Sequence, residues 1–225
     1  MTPYLPEKFL ALSKSSFSNL IPENAPVWQG LVEIGAWLSQ AKELGRIEGT
    51  VSKNAFLENE SQIYIAKGAV VEAGAFIRGP CWLGEGVCVR HGAYLRGNVM
   101  ADRGVVIGHD TEVKNALFLE GAHAAHFAYV GDALLGAGVN LGAGVKLANL
   151  KLSRKEIFID GKSTGLKKFG AVIGDGTQIG CNAVLNPGTL IGRHTDISPL
   201  ANVQGVIPEN SRVLSNLSIV VSPKT

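Results

Sequence analysis

Residues 65–106 read IAKGAV-VEAGAF-IRGPCW-LGEGVC-VRHGAY-LRGNVM-ADRGVV, which is seven six-residue blocks in succession. Each block opens on an apolar residue, and most blocks contain a glycine. A period of six matches neither the 3.6-residue turn of a helix nor the two-residue alternation of an ordinary strand. It is typical of the hexapeptide β-helix, in which each block makes a short strand and a tight corner and its apolar residue points inward. The fold class predicted is therefore mainly β.

The period extends well beyond this stretch. It continues to Ala125, resumes after a five-residue step at Val130 and runs to Val203, with a charged interruption at 151–170 (KLSRKEIFIDGKSTGLKKFG). Three blocks make one triangular coil of 18 residues, and coils stack at about 4.8 Å, so we expect roughly seven coils over about 33 Å. The predicted inward residues are Ile65, Val71, Ile77, Leu83, Val89, Leu95, Ala101, Ile107, Val113, Leu119, Ala125, Val130, Leu135, Leu141, Leu147, Ile173, Ile179, Leu185, Ile191, Ile197 and Val203.

The first part of the chain follows a different pattern. Apolar residues at helical spacing from Val27 to Ala41 predict a helix that is capped by Asn24, has Pro26 in its first turn and ends by Gly45. A shorter helix is expected over 7–16. We predict a small N-terminal helical segment over residues 1–60 that covers one end of the β-helix. The β-helix domain is predicted over 61–225, with an inserted loop at 151–170.

Composition narrows the class of protein. The chain has 225 residues, a formal charge of +2 and 46% hydrophobic residues, which suits one folded domain with an appendage and lacks the basic excess of a nucleic-acid binder. No apolar run approaches the roughly 18 residues that span a bilayer, and no signal peptide is recognisable. Three cysteines (Cys81, Cys88 and Cys181) form no CxxC pair. We expect a cytoplasmic protein with no nucleic-acid or membrane partner.

Two cations are predicted to stack on the outer surface. Arg96 and Lys114 each follow an inward residue and lie 18 residues apart, so they occupy adjacent coils on the same face. They either share an anion such as a phosphate or are both solvated, and the spacing leaves these alternatives open. Glu112 also points outward beside Val113, and we expect it to orient Lys114.

The histidines give a further candidate group. His126 follows Ala125 and is predicted to point outward near Tyr129, Asn140 and Asn149, although a single outward histidine usually has no function. His91 and His109 are 18 residues apart and should stack. A zinc site needs three converging ligands. In the predicted repeat, His123 and His126 do not occupy the same position as His91 and His109 and do not stack with them. No metal site is therefore predicted.

Four segments then resemble a known family. They are YLRG (94–97), TEVKNA (111–116), HAAHFAYVGDALLGAGVNLGAGVKLAN (123–149) and AVIGDGTQIGCNAVLNPG (171–188). They resemble the C-terminal acetyltransferase half of the bifunctional N-acetylglucosamine-1-phosphate uridyltransferase/glucosamine-1-phosphate acetyltransferase. The interruption and the N-terminal part are more similar to related sugar-phosphate nucleotidyltransferases. No glycine-rich nucleotide loop of the uridyltransferase half is found in the sequence.

The resemblance implies a left-handed prism and specific residue roles. It places His126 on the general base, with Glu112 and Asn149 completing the catalytic set, and it places the acceptor sugar phosphate on Arg96, Lys114, Tyr129 and Asn140. It implies that the backbone N–H of Ala143 contacts acetyl-CoA and that Cys181 lies near this cofactor, at a position where the family has a serine. One departure is that Asn149-Leu150-Lys151-Leu152 stands where the family has Asn-Tyr-Asp-Gly.

The implied activity is acetyl-CoA-dependent N-acetylation of glucosamine 1-phosphate by a homotrimer whose sites lie between prisms. Loop lysines Lys162, Lys167 and Lys168 are expected to meet the coenzyme A phosphates. Three alternatives remain open at this point: another amino-sugar acceptor, a longer acyl donor, or a non-catalytic hexapeptide protein that binds sugar nucleotides or acts as a scaffold. The 151–170 loop is either part of the binding face or a solvated hairpin without function.

Overall fold

In the computed structural model, which describes residues 4–215, three flat β-sheet faces surround one apolar column. All strand pairs between coils are parallel, and each strand pairs with the equivalent strand of the coils before and after it. The prediction of a mainly β, parallel β-helix with a small helical segment is confirmed, and the architecture is consistent with the left-handed prism that the resemblance implies.

Within residues 4–215, nine short strands form the first face. They are Thr50–Val51, Val70–Val71, Cys88–Val89, Val106–His109, His123–His126, Asn140–Leu141, Gln178–Ile179, Asp196–Ile197 and Arg212–Val213.

The second and third faces share two strands of seven residues, Glu112–Phe118 and Tyr129–Leu135, which turn the corner between them. The rest of the second face consists of Phe56–Glu58, Phe76–Arg78, Tyr94–Leu95, Lys146–Leu147, Val184–Leu185 and Asn202–Val203. The rest of the third face consists of Ile63–Ile65, Cys81–Leu83, Val99–Ala101, Ala171–Ile173, Thr189–Ile191 and Val206–Ile207.

The predicted inward residues are correct except at two positions. Phe118 pairs with Ala101 and Ala124 pairs with Ile107, so these two residues enter the core in place of Leu119 and Ala125. The cause is a five-residue step that falls at the corner after Val113, twelve residues earlier than predicted. Phe118 and Leu119 are both apolar, as are Ala124 and Ala125. Either register therefore places an apolar residue inward at both positions, and the sequence pattern cannot distinguish the two registers.

The β-helix also begins earlier than predicted. Strands Thr50–Val51 and Phe56–Glu58 already pair with the coil that follows them, so the boundary at residue 61 is too late. The short edge strands add to the stack, which reaches nine strands on the first face instead of the expected seven coils. Residues 216–225 of the predicted domain lie outside the described residues.

The N-terminal segment contains one α-helix, Gly30–Gln40, which a 3₁₀ turn at Val27–Gln29 precedes. The helix begins later than Asn24 because Pro26 is extended, and Ala41 turns to an extended conformation before Gly45 is reached. The predicted helix over 7–16 is wrong. Its place is taken by two 3₁₀ turns, Pro6–Lys8 and Leu12–Lys14, and a further 3₁₀ turn occupies Glu60–Gln62.

This segment covers a side of the prism, which corrects the expectation that it covers an end. Ile34 and Leu38 of the helix are buried in a second apolar cluster. The outward residues of the third face belong to the same cluster; they are Met100, Leu117, Leu134, Val172 and Leu190. The outer surface of the third face is therefore covered from Met100 to Leu190, whereas Tyr64 and Trp82 remain partly exposed.

The inserted loop completes this cover. Its only regular structure in the described residues is a short antiparallel hairpin of Phe158–Ile159 and Lys162–Ser163. Ile157, Ile159 and Phe169 are buried against the N-terminal segment, and the Tyr4 hydroxyl donates a hydrogen bond to Asp160. The loop is thus anchored at Ile157, Ile159 and Phe169, while most of its other residues are exposed. Among residues 4–215, no helix has the length and apolar character needed to cross a membrane.

Replacing Ile34 tests the docking of the helix on the third face. Ile34 is fully buried, whereas Val32 of the same helix is 52% exposed. We expect Ile34→Ala to lower the free energy of unfolding by about 2–5 kcal/mol, because it opens a cavity in the cluster. The matched control Val32→Ala should stay within about 0.5 kcal/mol. Urea denaturation measures both, and equal effects would contradict the docking.

Candidate active site

One corner of the prism carries three residues of the predicted site. His126, Ala143 and Cys181 each stand two residues after an inward residue, and those inward residues pair from coil to coil. The three therefore form a column along the corner between the first and second faces. The base and the acetyl-CoA contacts that the resemblance implies are thus brought together.

The corner offers a free proton acceptor and a free donor on neighbouring coils. Within residues 4–215 the exposed imidazole of His126 makes no hydrogen bond, and neither does the backbone N–H of Ala143. The Gly144 N–H donates to the carbonyl oxygen of His126 at 3.0 Å, which ties the two coils together. A Cβ on Gly142 would lie 2.7 Å from the backbone nitrogen of Cys181, so this position requires glycine. A base next to an amide donor suits a reaction that builds an oxyanion.

His126 occupies the same position of the repeat as His91 and His109, which corrects the prediction that it does not stack with them. The rings of His91 and His109 stack as predicted, with centroids 5.5 Å apart and planes at 14°. His109 pairs with His126 on the next coil because the five-residue step shifts the register. In the part of the chain that the structure describes, no three His, Cys, Asp or Glu side chains are grouped so that they could hold a metal ion.

The second face holds the two predicted cations. Leu95 pairs with Val113, so Arg96 and Lys114 lie on adjacent coils as expected, and both line a shallow cleft of about 230 Å³. Each has its own carboxylate. Arg96 contacts Glu112 at 2.6 Å, which raises the pKa of Arg96, and Lys114 contacts Asp132 at 3.1 Å.

The expected pairing of Glu112 with Lys114 is therefore wrong. Because both cations are neutralised within the chain, their mutual repulsion alone does not call for a bound anion.

Asp132 is a site residue that the sequence analysis missed. It is 5% exposed, has a left-handed backbone (φ 49°) and accepts hydrogen bonds from Lys114, Asn115 and Asn149. Its backbone carbonyl accepts the Gly170 N–H, where the inserted loop rejoins the prism. The strand partner of Lys114 on the next coil is Gly131, because that coil has 17 residues. The 18-residue spacing that links Arg96 to Lys114 therefore gives no signal for Asp132.

Tyr129 and Asn149 complete the group around Asp132. Burial raises the pKa of the Tyr129 hydroxyl, and the negative charges of Glu112 and Asp132 raise it further. A Cβ on Gly131 would lie 2.7 Å from the Tyr129 hydroxyl and 2.8 Å from the Asn149 amide nitrogen. The absence of a side chain at Gly131 thus leaves the room in which Tyr129 and Asn149 meet.

Other predicted residues lie apart from these groups. Asn140 pairs with His123 on the first face and not with His126. Lys167 and Lys168 are exposed at the far edge of the second face, where Lys168 pairs with Leu150. Within one chain the second face separates them from Ala143 and Cys181, because the inserted loop leaves the prism after Asn149.

Lys162 lies elsewhere on the inserted loop. Its ammonium stands 5.6 Å from the ring of Tyr4, so it faces the N-terminal segment.

Comparison with known proteins identifies the relatives of the chain. Residues 170–205 match the bacterial transferase hexapeptide (six repeats). Over 181 residues the chain is 32% identical to a bifunctional sugar-1-phosphate nucleotidylyltransferase/acetyltransferase of Sulfurisphaera tokodaii, which covers 77% of this chain and 44% of that protein. Over 117 residues it is 32% identical to the bifunctional protein GlmU of Methanococcus maripaludis, covering 51% and 28%. The chain is a hexapeptide-repeat homologue of these proteins.

The chain spans less than half the length of each of these two curated relatives. Two solved structures are also similar. The acetyltransferase domain of PglB from Neisseria gonorrhoeae, solved with acetyl coenzyme A, is 18% identical, with a TM-score of 0.30 over 82% of this chain and 61% of that chain. The UDP-N-acetylglucosamine acyltransferase of Francisella novicida is 15% identical, with a TM-score of 0.38 over 75% and 66%. These scores are too low to support an argument about the site.

Removing the charge of Asp132 tests the buried network. We expect Asp132→Asn to lower the free energy of unfolding by about 2 kcal/mol, because the amide cannot accept from all three donors and leaves the Lys114 charge without its partner. Glu112→Gln removes the partner of Arg96 in an exposed pair and should cost less than about 1 kcal/mol. Urea denaturation at neutral pH compares the two, and a loss in Asp132→Asn no larger than that in Glu112→Gln would show that the network is not stabilising.

Proposed function

We propose that this hexapeptide-repeat protein is an acetyl-CoA-dependent N-acetyltransferase that acts on glucosamine 1-phosphate or a close amino-sugar phosphate. The reaction would serve the synthesis of UDP-N-acetylglucosamine for cell-envelope precursors. The observation that supports this most is the corner where the exposed imidazole of His126 stands one coil from the backbone N–H of Ala143, because neither group has a hydrogen-bond partner among residues 4–215. The relative from Sulfurisphaera tokodaii, a bifunctional sugar-1-phosphate nucleotidylyltransferase/acetyltransferase, supports acetyl transfer and a sugar-phosphate substrate.

The chemistry follows from these two groups. An amino sugar is mostly an ammonium ion near neutral pH and attacks a thioester only after it loses a proton. His126 takes that proton, and histidine is the side chain best suited to do so at this pH. The amine nitrogen then bonds to the thioester carbon, and the Ala143 N–H donates to the oxyanion that forms. When the carbon–sulfur bond breaks, the nitrogen gives up its second proton, which the departing coenzyme A thiolate takes up, and the protonated His126 releases its proton to the solvent. Cys181 has no covalent role in this sequence.

The second face would bind the acceptor. Arg96 and Lys114 present donors to the phosphate, and Tyr129 and Asn149 present a hydroxyl and an amide to the sugar hydroxyls. Leu150 follows Asn149 where the resembling family has a tyrosine, so the pocket for the sugar differs locally. This difference favours testing related amino-sugar phosphates beside glucosamine 1-phosphate.

A homotrimer would complete the site. The cleft at Arg96 and Lys114 is shallow and open in a single chain. Because the N-terminal segment and the inserted loop cover the third face, neighbouring prisms would meet through the first and second faces. Lys167 and Lys168 would then reach the coenzyme A phosphates of a neighbouring subunit, since they are far from Ala143 within their own chain.

Replacing His126 tests the proposed reaction. A thiol-release assay with acetyl-CoA and glucosamine 1-phosphate should show that His126→Ala lowers kcat by about 10²- to 10⁴-fold, because the general base is lost, with little change in the KM of the sugar. His91→Ala and His109→Ala remove neighbours from the same column and should retain kcat.

Turnover in His126→Ala within threefold of the unmodified protein would contradict the role of the histidine. Sugar binding without any turnover in the unmodified protein would favour a binding or scaffold protein. Turnover with another amino-sugar phosphate or a longer acyl-CoA alone would reassign the substrate.

Charge reversal in the inserted loop tests the acetyl-CoA contacts. Lys167→Glu together with Lys168→Glu should raise the KM of acetyl-CoA about tenfold or more, because two cations no longer face its phosphates. Arg154→Glu together with Lys155→Glu makes the same change of charge at exposed positions of the same loop and should have little effect. An unchanged KM in the first variant would exclude the two lysines from the coenzyme A site.

A further inference from the structure

One corner of the prism repeats the same unusual backbone conformation on successive coils. From Val71 to Ile197, the residue three places after each inward residue of the first face has a positive φ. The column consists of Gly74, Gly92, Asp110, Phe127, Gly144, Asn182 and Leu200, with φ values of 78°, 74°, 49°, 52°, 75°, 57° and 62°. Glycine, asparagine and aspartate tolerate this region, whereas a bulky residue is strained there. Phe127 and Leu200 are therefore the two exceptions in the column.

The strain at Phe127 is not offset by burial in the core. Its side chain is 50% exposed, and its ring lies 5.2 Å from the ring of His109 and 6.4 Å from that of His126. Hydrogen bonds hold the backbone in place: the Phe127 N–H donates to the His109 carbonyl, and the Lys146 ammonium donates to the Phe127 carbonyl. A strained residue that stays partly in solvent is typical of a functional position.

The location of the ring indicates what it touches. Phe127 directly follows His126 and stands two residues before Tyr129, so it lies where the corner that holds the base meets the second face. An acceptor whose amine reaches His126 and whose phosphate reaches Arg96 must pass this edge. The face of a pyranose ring that carries C–H groups is apolar, and an aromatic ring offers it a flat contact of matching character.

We infer that Phe127 is a specificity-determining residue that packs against the sugar ring of the acceptor. The inference rests on the proposed function and extends it to a residue with no polar or charged group. The strained backbone orients the ring outward beside His126, whereas a relaxed glycine or asparagine would leave the edge bare.

Two asparagine variants separate this role from backbone strain. Phe127→Asn and Leu200→Asn both copy Asn182 of the same column, and Leu200 is equally exposed at 55%. Neither change should lower Tm, because asparagine fits the left-handed region. Phe127→Asn should raise the KM of the amino-sugar phosphate about tenfold and leave the KM of acetyl-CoA within about twofold. Leu200→Asn should change neither constant, and Phe127→Tyr, which keeps the ring, should restore the acceptor KM.

Each other outcome contradicts the inference in a recognisable way. An acceptor KM that stays within twofold in Phe127→Asn excludes contact with the sugar. A change in oligomeric state in this variant alone, measured by light scattering, assigns the ring to a subunit contact. Equal rises in both KM values assign it to the general shape of the corner. If the unmodified protein neither binds nor acetylates an amino-sugar phosphate, the proposed function itself fails and the inference fails with it.

Discussion

The hydrogen-bonded register between successive coils determines where every outward side chain stands. Most strands contain only two or three residues, so each is held by the backbone bonds to its neighbours and by one or two inward apolar residues. Residues at the same distance from an inward residue therefore fall into one column, spaced at about 4.8 Å. Both parts of the candidate site are such columns: one contains His126 and Ala143, and the other contains Arg96 and Lys114.

The site lies where the repeat is least regular. Val113 pairs with Val130, and Val130 pairs with Leu147, so two successive coils have 17 residues instead of 18. The missing residue converts the corner between the second and third faces into two continuous strands. Asp132 then reaches Lys114 on the coil before it and Asn149 on the coil after it. An interruption of local regularity at a functional position is common in proteins that are otherwise consistent.

The stacked-coil architecture could be predicted from the sequence, but the position of the shortened coils could not. Arg96 and Lys114 were found because their spacing is one undisturbed coil. The partner of Lys114 was not found, because the place of the five-residue step cannot be read where Phe118 is followed by Leu119 and Ala124 by Ala125. The apolar face of the helix was predictable from its spacing, but no pattern within 27–41 shows that its target is the outer surface of the third face. That surface is apolar at Met100, Val172 and Leu190 in the regular coils, and the shifted register adds Leu117 to it.

The two cations of the second face are not equivalent in how they can receive an anion. The side chain of Glu112 is 37% exposed, whereas that of Asp132 is 7% exposed and also accepts from two asparagines. Leaving a buried carboxylate without its cation is costly, whereas an exposed ion pair contributes little. The phosphate of the proposed acceptor would therefore exchange with Glu112 at Arg96 far more readily than with Asp132 at Lys114. In the proposed reaction Lys114 would remain a fixed donor whose position depends on Asp132, and Arg96 would be the cation whose partner changes when the acceptor binds.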